Sequence, residues 1–240
     1  MLAPVESRSR DQLFLIGTSV TSGSRGWAQY YSDDGATFIR VGNLDRNTIS
    51  LDFQEVQRVN PPIGAEGTRT RVKTGDILVS ITADIGMIAL APEDLPEAYI
   101  NQHIALVRPL PSVYANYFAW YLASSEDGYK QFQQLQRGAT KVGLGLDDIR
   151  SVWIPIPPLT EQKLIVTAIE SIFKTIDHIQ QQYEVAKAQL EKLDRAILAQ
   201  AFRGELVPQD PNDEPASVLL DRIREERAKV SDRKSTKRKR

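Results

Sequence analysis

An apolar residue recurs at alternating intervals of four and three positions through a long segment in the C-terminal half of this chain. The series consists of Ile165, Ile169, Ile172, Ile176, Ile179, Tyr183, Ala186, Leu190, Leu193 and Ile197. Such unbroken alternation over several heptads is typical of a coiled-coil seam, which is narrower than the apolar stripe of an ordinary surface helix. The pattern predicts one helix from Thr160 to Phe202, about 65 Å long at about 1.5 Å per residue, with Gly204 as its C-terminal cap.

This helix needs a second helix to cover its seam. The chain has no other heptad run of comparable length, and the short helix predicted at Pro215–Lys229 has few apolar residues to offer. The sequence therefore predicts self-association, most simply a two-fold dimer in which the partner chain supplies the missing helix. The residues assigned to dimerisation are Ile165, Ile169, Ile172, Ile176, Ile179, Tyr183, Leu190, Leu193 and Ile197. The alternative is a long helix that packs within its own monomer.

The first 158 residues have a different pattern, which predicts a globular domain of mixed strands and helices. Strands are expected at Ala36–Val41, Asp76–Ile81, Met87–Ala91 and Tyr99–Val107, and helices at Val113–Ala123 and Gly128–Arg137. The prolines of Ile154–Leu159 exclude a helix there. The expected fold class is therefore α+β, with a globular domain at 1–158, the long helix at 159–204, and a short helix with a basic tail at 205–240.

Residue types that bind metals or perform covalent chemistry are scarce in this sequence. There is no cysteine, and the two histidines are His103 and His178, which excludes thiolate metal sites and argues against a zinc site. The longest apolar run, Ile77–Ala91, contains Asp84 and two glycines, and no signal-peptide core is present. We therefore expect no metal, no cofactor, no membrane span, and a cytoplasmic location.

Several motifs resemble catalytic or binding sites but lack an essential member. Asn60–Ile63 reads Asn-Pro-Pro-Ile, whereas a loop that holds a flipped adenine needs an aromatic residue in the fourth place. Asp177 and Glu184–Lys187 imitate the carboxylates and lysine of a nuclease, but they fall on the long helix as solvated positions. Gly143–Gly145 lacks the further glycine and the lysine of a phosphate loop, and His103 lies in a predicted strand as a core histidine. The sequence therefore predicts a protein without a catalytic constellation.

Net charge argues mildly against a nucleic-acid partner. The formal net charge is −1, although several of the basic residues lie in the tail Arg233–Arg240, so the rest of the chain is acidic. We expect this tail to be disordered, either as an unspecific phosphate-binding segment or as a plain solubilising one. A nucleic-acid interface would have to be a local basic face.

Six segments in order resemble the specificity subunit of Type I restriction-modification systems. They read TSGSRGWAQYYSDDG, FIRVGNL, VKTGDILVSITADIGMIAL, AYINQHIALVRP, GATKVGLGLDDIRSVWIPIPPLTEQ and AILAQAFRGELVPQDPNDEPASVLLDRIREER. The resemblance implies a non-catalytic subunit that binds double-stranded DNA. Its partners, the methyltransferase subunits and a restriction subunit where one is present, carry adenine-N6 methylation and ATP-driven cleavage. The usual subunit has two recognition domains, each followed by a long helix, and the two helices pair antiparallel.

This sequence departs from the family pattern because it has one recognition domain and one long helix, about half of the usual complement. Its ending after Ala196 resembles the family's C-terminal end, so the chain resembles a second half or a separate half-subunit. The segment before Leu13 shows little of the expected tryptophan-bearing start. A homodimer would present two identical domains and is expected to read a bipartite palindrome.

Polar and cationic side chains in loops are the candidates for DNA contact, because arginine reads guanine, asparagine reads adenine, and hydroxyls or lysines anchor phosphates. A surface loop is predicted at Thr21–Gly26, with Trp27, Tyr30 and Tyr31 as its foundation or, equally, as plain core. The predicted DNA-binding residues are Ser22, Ser24, Arg25, Trp27, Tyr31, Arg40, Asn43, Arg69, Arg71, Lys73, Thr140 and Lys141. A solvated surface patch explains Arg69, Arg71 and Lys73 equally well.

A hypothesis of another class is a coiled-coil interaction module, or decoy, that binds methyltransferase subunits without reading DNA. The acidic composition favours this hypothesis, and the six-part resemblance opposes it. A stand-alone methyltransferase would need an S-adenosylmethionine site, whose glycine-rich turn the sequence lacks.

Overall fold

A computed structural model of the 240-residue chain describes residues 10–12, 17–110, 113–136, 143–208 and 210–237. The predicted contact residues Thr140 and Lys141 lie outside these ranges, as do the last residues of the basic tail. The chain divides into two compact units, Met1–Phe173 and Lys174–Arg240. All of the described strands belong to the first unit.

The described residues form short strands and six α-helices, one of them long. The strands are β1 (Arg10–Gln12), β2 (Gly17–Ser22), β3 (Tyr31–Ser32), β4 (Ala36–Ile39), β5 (Gln57–Val59), β6 (Ile77–Ser80), β7 (Ile88–Leu90), β8 (Ala98–Ile100), β9 (Ile104–Pro109) and β10 (Trp153–Pro155). The helices are α1 (Ala65–Thr70), α2 (Ala115–Ala123), α3 (Gly128–Leu135), α4 (Leu146–Arg150), α5 (Leu159–Arg203) and α6 (Ala216–Lys237). This content confirms the predicted α+β class with its long helix.

Two four-stranded sheets build the first unit. One has the order β2-β9-β6-β7 with every pair antiparallel, and the other has the order β3-β5-β4-β8. In the second sheet β4 and β8 run parallel, with Phe38 opposite Tyr99, so the carboxyl ends of these two strands meet at one edge. A separate ribbon pairs β1 with β10, placing Asp11 opposite Ile154.

The sheet of β2, β9, β6 and β7 is covered on both faces. Alternate residues of β6 point to different clusters: Ile77 and Val79 pack with residues of α2 and α3, whereas Leu78 packs with residues of β4 and β8. Strand β9 repeats the pattern, with Val107 in the first cluster and Leu106 in the second. A strand buried on both faces has no polar side, which explains why the sequence shows continuous apolar runs instead of alternation.

The run Tyr99–Val107, predicted as one strand, forms parts of two strands in different sheets. Asn101 closes the turn between them: its side chain accepts a hydrogen bond from the His103 amide (3.1 Å), and its carbonyl accepts one from the Ile104 amide (3.2 Å). The single-strand prediction was wrong because one asparagine within an apolar run is enough to close a turn with its own side chain.

The predicted long helix is confirmed to within one residue at each end, since α5 runs from Leu159 to Arg203. Gly204 follows with a φ of 71°, and the Glu205 amide donates to the Gln200 carbonyl (2.9 Å). These are the features of a glycine-capped helix end.

The beginning of α5 belongs to the core of the first unit. Val166 is 1% exposed, and Ile165 packs partly buried in the same cluster. Phe173 stacks on Trp120 of α2, with ring centroids 4.9 Å apart. The first part of the helix therefore packs within its own monomer, as the alternative prediction stated. The strongly exposed members of the seam begin at Ile172.

Helix α6 continues past its predicted end at Lys229 and reaches Lys237. No glycine or proline interrupts the sequence after Pro215, so nothing in the backbone stops the helix earlier. The helix therefore includes part of the tail that was expected to be disordered. Among the described residues, no helix has the length and hydropathy needed to cross a membrane.

Asp76, which is buried, and Arg108, which is partly buried, form an ion pair where β6 begins beside β9. Arg108 donates Nε to Oδ1 (2.8 Å) and Nη2 to Oδ2 (2.6 Å) of Asp76, which is 1% exposed. The hydrogen bonds to Asp76 raise the pKa of the Arg108 guanidinium. The same carboxylate accepts the Lys73 amide (2.8 Å) and so closes the turn that leads into β6.

We expect Asp76→Ala to lower the free energy of unfolding by about 3 kcal/mol, because it removes the buried carboxylate that binds both the Arg108 guanidinium and the Lys73 amide. Urea unfolding followed by tryptophan fluorescence measures this loss, since every tryptophan lies in the first unit. Asp147→Ala is the matched control. Asp147 pairs with Arg150 at an exposed position, so its loss is expected to cost under about 1 kcal/mol. Equal losses in the two variants would contradict the structural role of the pair between Asp76 and Arg108.

Candidate nucleic-acid interface

The loop that follows β2 is fixed by close backbone packing. The ladder between β2 and β9 ends where Ser22 lies opposite Ala105. At Gly23 a Cβ atom would lie 2.2 Å from the carbonyl carbon of Asn101, so no other residue fits there. Gly26 has a φ of 83°, which favours glycine. The predicted loop is therefore shorter than expected, because its first two residues belong to β2 and only the stretch from Gly23 to Gly26 is loop.

Helix α1 holds one end of this loop through Arg69. The Arg69 guanidinium donates Nη1 to the Thr21 hydroxyl (2.8 Å) and to the Ser22 carbonyl (2.6 Å). Its Nη2 donates to the Ser24 hydroxyl (2.6 Å). In the structure the Arg69 guanidinium binds the candidate loop, and its predicted contact with DNA stays a prediction.

Glu66, one helical turn before Arg69, holds the other end of the loop. Its Oε1 accepts a hydrogen bond from the indole Nε1 of Trp27 (2.7 Å). That hydrogen bond, followed by one from Ser24 and the charge of Arg69, lowers the pKa of the Glu66 carboxyl. The carboxylate therefore stays ionised and able to accept both hydrogen bonds at neutral pH.

The aromatic residues after the loop have different surroundings. Trp27 is buried and stacks on Phe38, with ring centroids 5.4 Å apart. Tyr31 is 45% exposed. Arg25 is exposed, and its side chain forms no hydrogen bond or ion pair with any other described residue. Trp27 thus serves as the foundation of the loop, while Arg25 and Tyr31 lie at its surface.

The three basic residues predicted as one cluster do not share one environment. Whereas Arg69 binds the loop, the Arg71 Nη2 lies 3.7 Å from a carboxylate oxygen of Glu97. Lys73 is exposed to solvent. Phosphate contact by Arg71 and Lys73 stays a prediction.

A pocket of about 600 Å³ lies at the carboxyl ends of the parallel strands β4 and β8. Arg40 and Asn101, which directly follow these strands, line it together with Thr82 and His103. His103 was predicted as a core strand residue, but it lies half-buried in the turn, where Thr82 and Gln102 hydrogen-bond its ring. The carboxyl edge of parallel strands is a common position for ligands, and the predicted contact Arg40 is placed there.

Asn43 also lines this pocket, but its side chain is occupied. The Oδ1 atom accepts the Arg40 amide (3.0 Å), and Nδ2 donates to the carbonyls of Asp52 and Glu55 (both 2.9 Å). Asn43 is 4% exposed. The amide that was predicted to read a base therefore holds the segment between β4 and β5 in place.

The glycine-rich segment with Thr140 and Lys141 lies outside the described residues. The next described residue, Gly143, pairs with Thr82, and the Leu144 amide donates to the Ile81 carbonyl (3.0 Å). The first described residues after this segment therefore lie beside the pocket at the ends of β4 and β8, which Thr82 lines.

Sequence reasoning missed Glu66, because an acidic residue gives no sign of a DNA interface. The signal that existed is the spacing of Glu66 and Arg69, which lie three apart and so share a face of α1. Asn60–Ile63, considered as a base-binding motif, is the turn that leads into α1, and Ile63 is fully exposed. Within the described ranges, no group of three His, Asp or Glu residues could hold a metal ion.

Solved structures share this fold. The HsdS subunit from Thermoanaerobacter tengcongensis superposes with a TM-score of 0.56 and 23% identity, over 82% of this chain and 45% of that one. A chain from a structure on complex assembly and conformational transition of the type I R-M system gives a TM-score of 0.62 and 22% identity, over 86% of this chain and 48% of that one. The fold is thus that of an HsdS-like α+β domain with its long helix.

Sequence comparison identifies the family. The profile described as "Type I restriction modification DNA specificity domain" matches residues 37–188. The chain is 30% identical over 214 residues to the Type I restriction enzyme EcoBI specificity subunit of Escherichia coli, covering 86% of this chain and 44% of that protein. It is 36% identical over 105 residues to the EcoKI specificity subunit of Escherichia coli strain K12, covering 40% and 23%. The chain belongs to the Type I restriction-modification DNA specificity domain family, and it spans less than half the length of these relatives.

We expect Asn43→Ala to lower the free energy of unfolding by about 2 kcal/mol, because it leaves buried backbone groups without hydrogen-bond partners. Urea unfolding measures the loss, and Arg25→Ala, at an exposed position without partners among the described residues, should change it by less than about 0.5 kcal/mol. An Asn43→Ala variant of normal stability but altered DNA selectivity would instead show that Asn43 reads a base.

Proposed function

We propose that this chain is a non-catalytic specificity subunit of a Type I restriction-modification complex and selects the double-stranded DNA on which that complex acts. The observation that carries the proposal is the family match over residues 37–188. Direct readout of DNA needs hydrogen-bond donors held at fixed positions outside the protein surface. The loop from Gly23 to Gly26 supports the proposal because α1 holds it on both sides, at Ser24 and at Trp27, and because it carries the exposed Arg25.

Catalysis in this proposal belongs to other subunits. Methyltransferase subunits methylate adenine, and a restriction subunit, where the system has one, cleaves the DNA. The specificity subunit itself then needs no cofactor. Because such a complex acts on DNA inside the cell, we place the chain in the cytoplasm.

Dimerisation through the seam of α5 is the second part of the proposal. The seam residues from Ile172 to Ile197 that carry large side chains are 41–61% exposed: Ile172, Ile176, Ile179, Tyr183, Leu190, Leu193 and Ile197. A continuous exposed apolar surface is typical of an association site. In an antiparallel two-fold pair, the same surface of the two copies would meet in opposite directions, so that a seam residue near one end of the surface packs against one near the other end in the partner.

A dimer of this kind would place two identical recognition domains on one DNA molecule. Two-fold symmetry of the protein requires two-fold symmetry of the site that it reads. The proposed site is therefore a bipartite palindrome, with two inverted half-sites and an unread spacer whose length depends on the helix pair.

Ile179→Glu combined with Leu190→Glu is expected to convert the dimer into a monomer of 26.9 kDa, because the carboxylates would have to be buried in an apolar seam. Light scattering after size-exclusion chromatography measures the mass. Gln181→Glu combined with Ala188→Glu adds the same charge on the opposite side of the heptad and should leave the dimer intact. A wild-type chain that stays monomeric at micromolar concentration would contradict the homodimer.

The function is tested by methylating a random DNA library with the chain and the methyltransferase subunits of its own system, then mapping the methylated adenines. We expect two identical inverted half-sites separated by a constant spacer, and no methylation pattern when the chain is omitted. Two different half-sites would support DNA recognition and overturn the homodimer. Methyltransferase subunits that bind the chain without any site preference would overturn DNA reading in favour of the coiled-coil interaction module.

A further inference from the structure

Two arginines lie at the loop that follows β2, and their environments differ. Arg69 of α1 has both hydrogens of Nη1 engaged, by the Thr21 hydroxyl and the Ser22 carbonyl, and Nη2 engaged by the Ser24 hydroxyl. Arg25 is exposed and makes no hydrogen bond or ion pair with the part of the chain that the structure describes. Arg69 therefore has three of its five N–H groups bound to the protein, and Arg25 has none bound to the described residues.

Arg69 acts together with Glu66. Arg69 binds the chain from Thr21 to Ser24, and Glu66 binds the Trp27 indole (2.7 Å). The two side chains lie on one face of α1, so one short helix grips the loop on both sides of Arg25. The loop is also tight at Gly23, where a Cβ atom would lie 2.2 Å from the carbonyl carbon of Asn101.

Such a loop loses little conformational entropy when its tip binds, because its shape is set before binding. A phosphate contact by Arg69 is restricted to its Nε–H and its second Nη2–H, because the other three N–H groups bind the loop, whereas Arg25 offers its whole guanidinium and gives up no protein contact. We infer that Arg25 is the side chain of this loop that reads a DNA base and that Arg69 is a positioning residue, which holds the loop and does not contact DNA. This inference rests on the proposed DNA-recognition function and assigns separate roles to two residues within it.

A double-mutant cycle tests the assignment. Arg25→Ala, Arg69→Ala and the double variant are each combined with the methyltransferase subunits, and binding is measured on the mapped site and on a scrambled site over a range of salt concentrations. Arg25→Ala is expected to lower the ratio of mapped to scrambled affinity by about tenfold to a hundredfold. Arg69→Ala should lower the same ratio without changing the salt slope, and it should have almost no further effect when Arg25 is already absent.

Two additional variants separate positioning from general damage. Arg69→Lys keeps the positive charge, but its single ammonium nitrogen cannot reach the three acceptors that the planar guanidinium contacts. We therefore expect Arg69→Lys to lower the affinity ratio as Arg69→Ala does. Arg150→Ala removes another arginine bound to β2, since Arg150 Nη2 donates to the Val20 carbonyl (2.9 Å), outside the loop. It should leave the affinity ratio unchanged.

The outcomes that overturn the inference differ from those that overturn the proposed function. If Arg69→Ala weakens both DNAs equally and lowers the salt slope by about one, Arg69 contacts a phosphate directly. If the effects of Arg25→Ala and Arg69→Ala on the ratio multiply, the two residues act independently. If Arg25→Ala keeps the full ratio, Arg25 reads no base, while a wild-type complex that prefers no site at all overturns the proposed function itself.

Discussion

The pairing of β9 with two neighbours determines the geometry of the first unit. β9 forms ladders with β2 on one side and with β6 on the other, and its side chains alternate between two separate apolar clusters. A slip of one residue would send every side chain to the wrong cluster, so the register is strongly specified. Because β2 leaves its ladder opposite Ala105, the same register determines where Gly23 begins the loop and hence where Arg25 lies.

Helix α5 changes its apolar pattern along its length. Its first turns bury Gln162 and Val166 and include Ile165 and Phe173 as partly buried residues, a broad stripe suited to packing against a globular core. Beyond that part, the apolar residues follow mainly the narrow seam of alternating threes and fours, with Val185, Leu198 and Phe202 outside it. The seam as read from the sequence ran through both parts, yet Ile165 already packs on its own chain. The described surface available to a partner helix is therefore the later part of the series.

The features that the sequence predicts well are those with a local pattern. The heptad series located α5 to within one residue because its spacing repeats along the helix. Continuous apolar runs located β4, β6 and β7, because strands buried on both faces are apolar at nearly every position. The turn at Asn101 was missed since it depends on a single side chain inside an apolar run. The hydrogen bond from Arg69 to Thr21 joins residues 48 positions apart. No local sequence pattern predicts which loop an arginine so distant in the sequence will contact. For the same reason the sequence could not show that the Asn43 amide binds three backbone groups, and base reading by Asn43 stays a prediction.

The division of labour within the loop has a consequence for evolution. The residues that give the loop its shape, Gly23, Glu66, Trp27 and Arg69, are tied to the rest of the protein, so their replacement disturbs the fold. Arg25 is tied to none of the described residues, and its replacement carries little structural cost. Under the proposed base-reading role of Arg25, selection can therefore explore new side chains at that position while the loop keeps its form, and a change of sequence preference need not pass through a poorly folded intermediate.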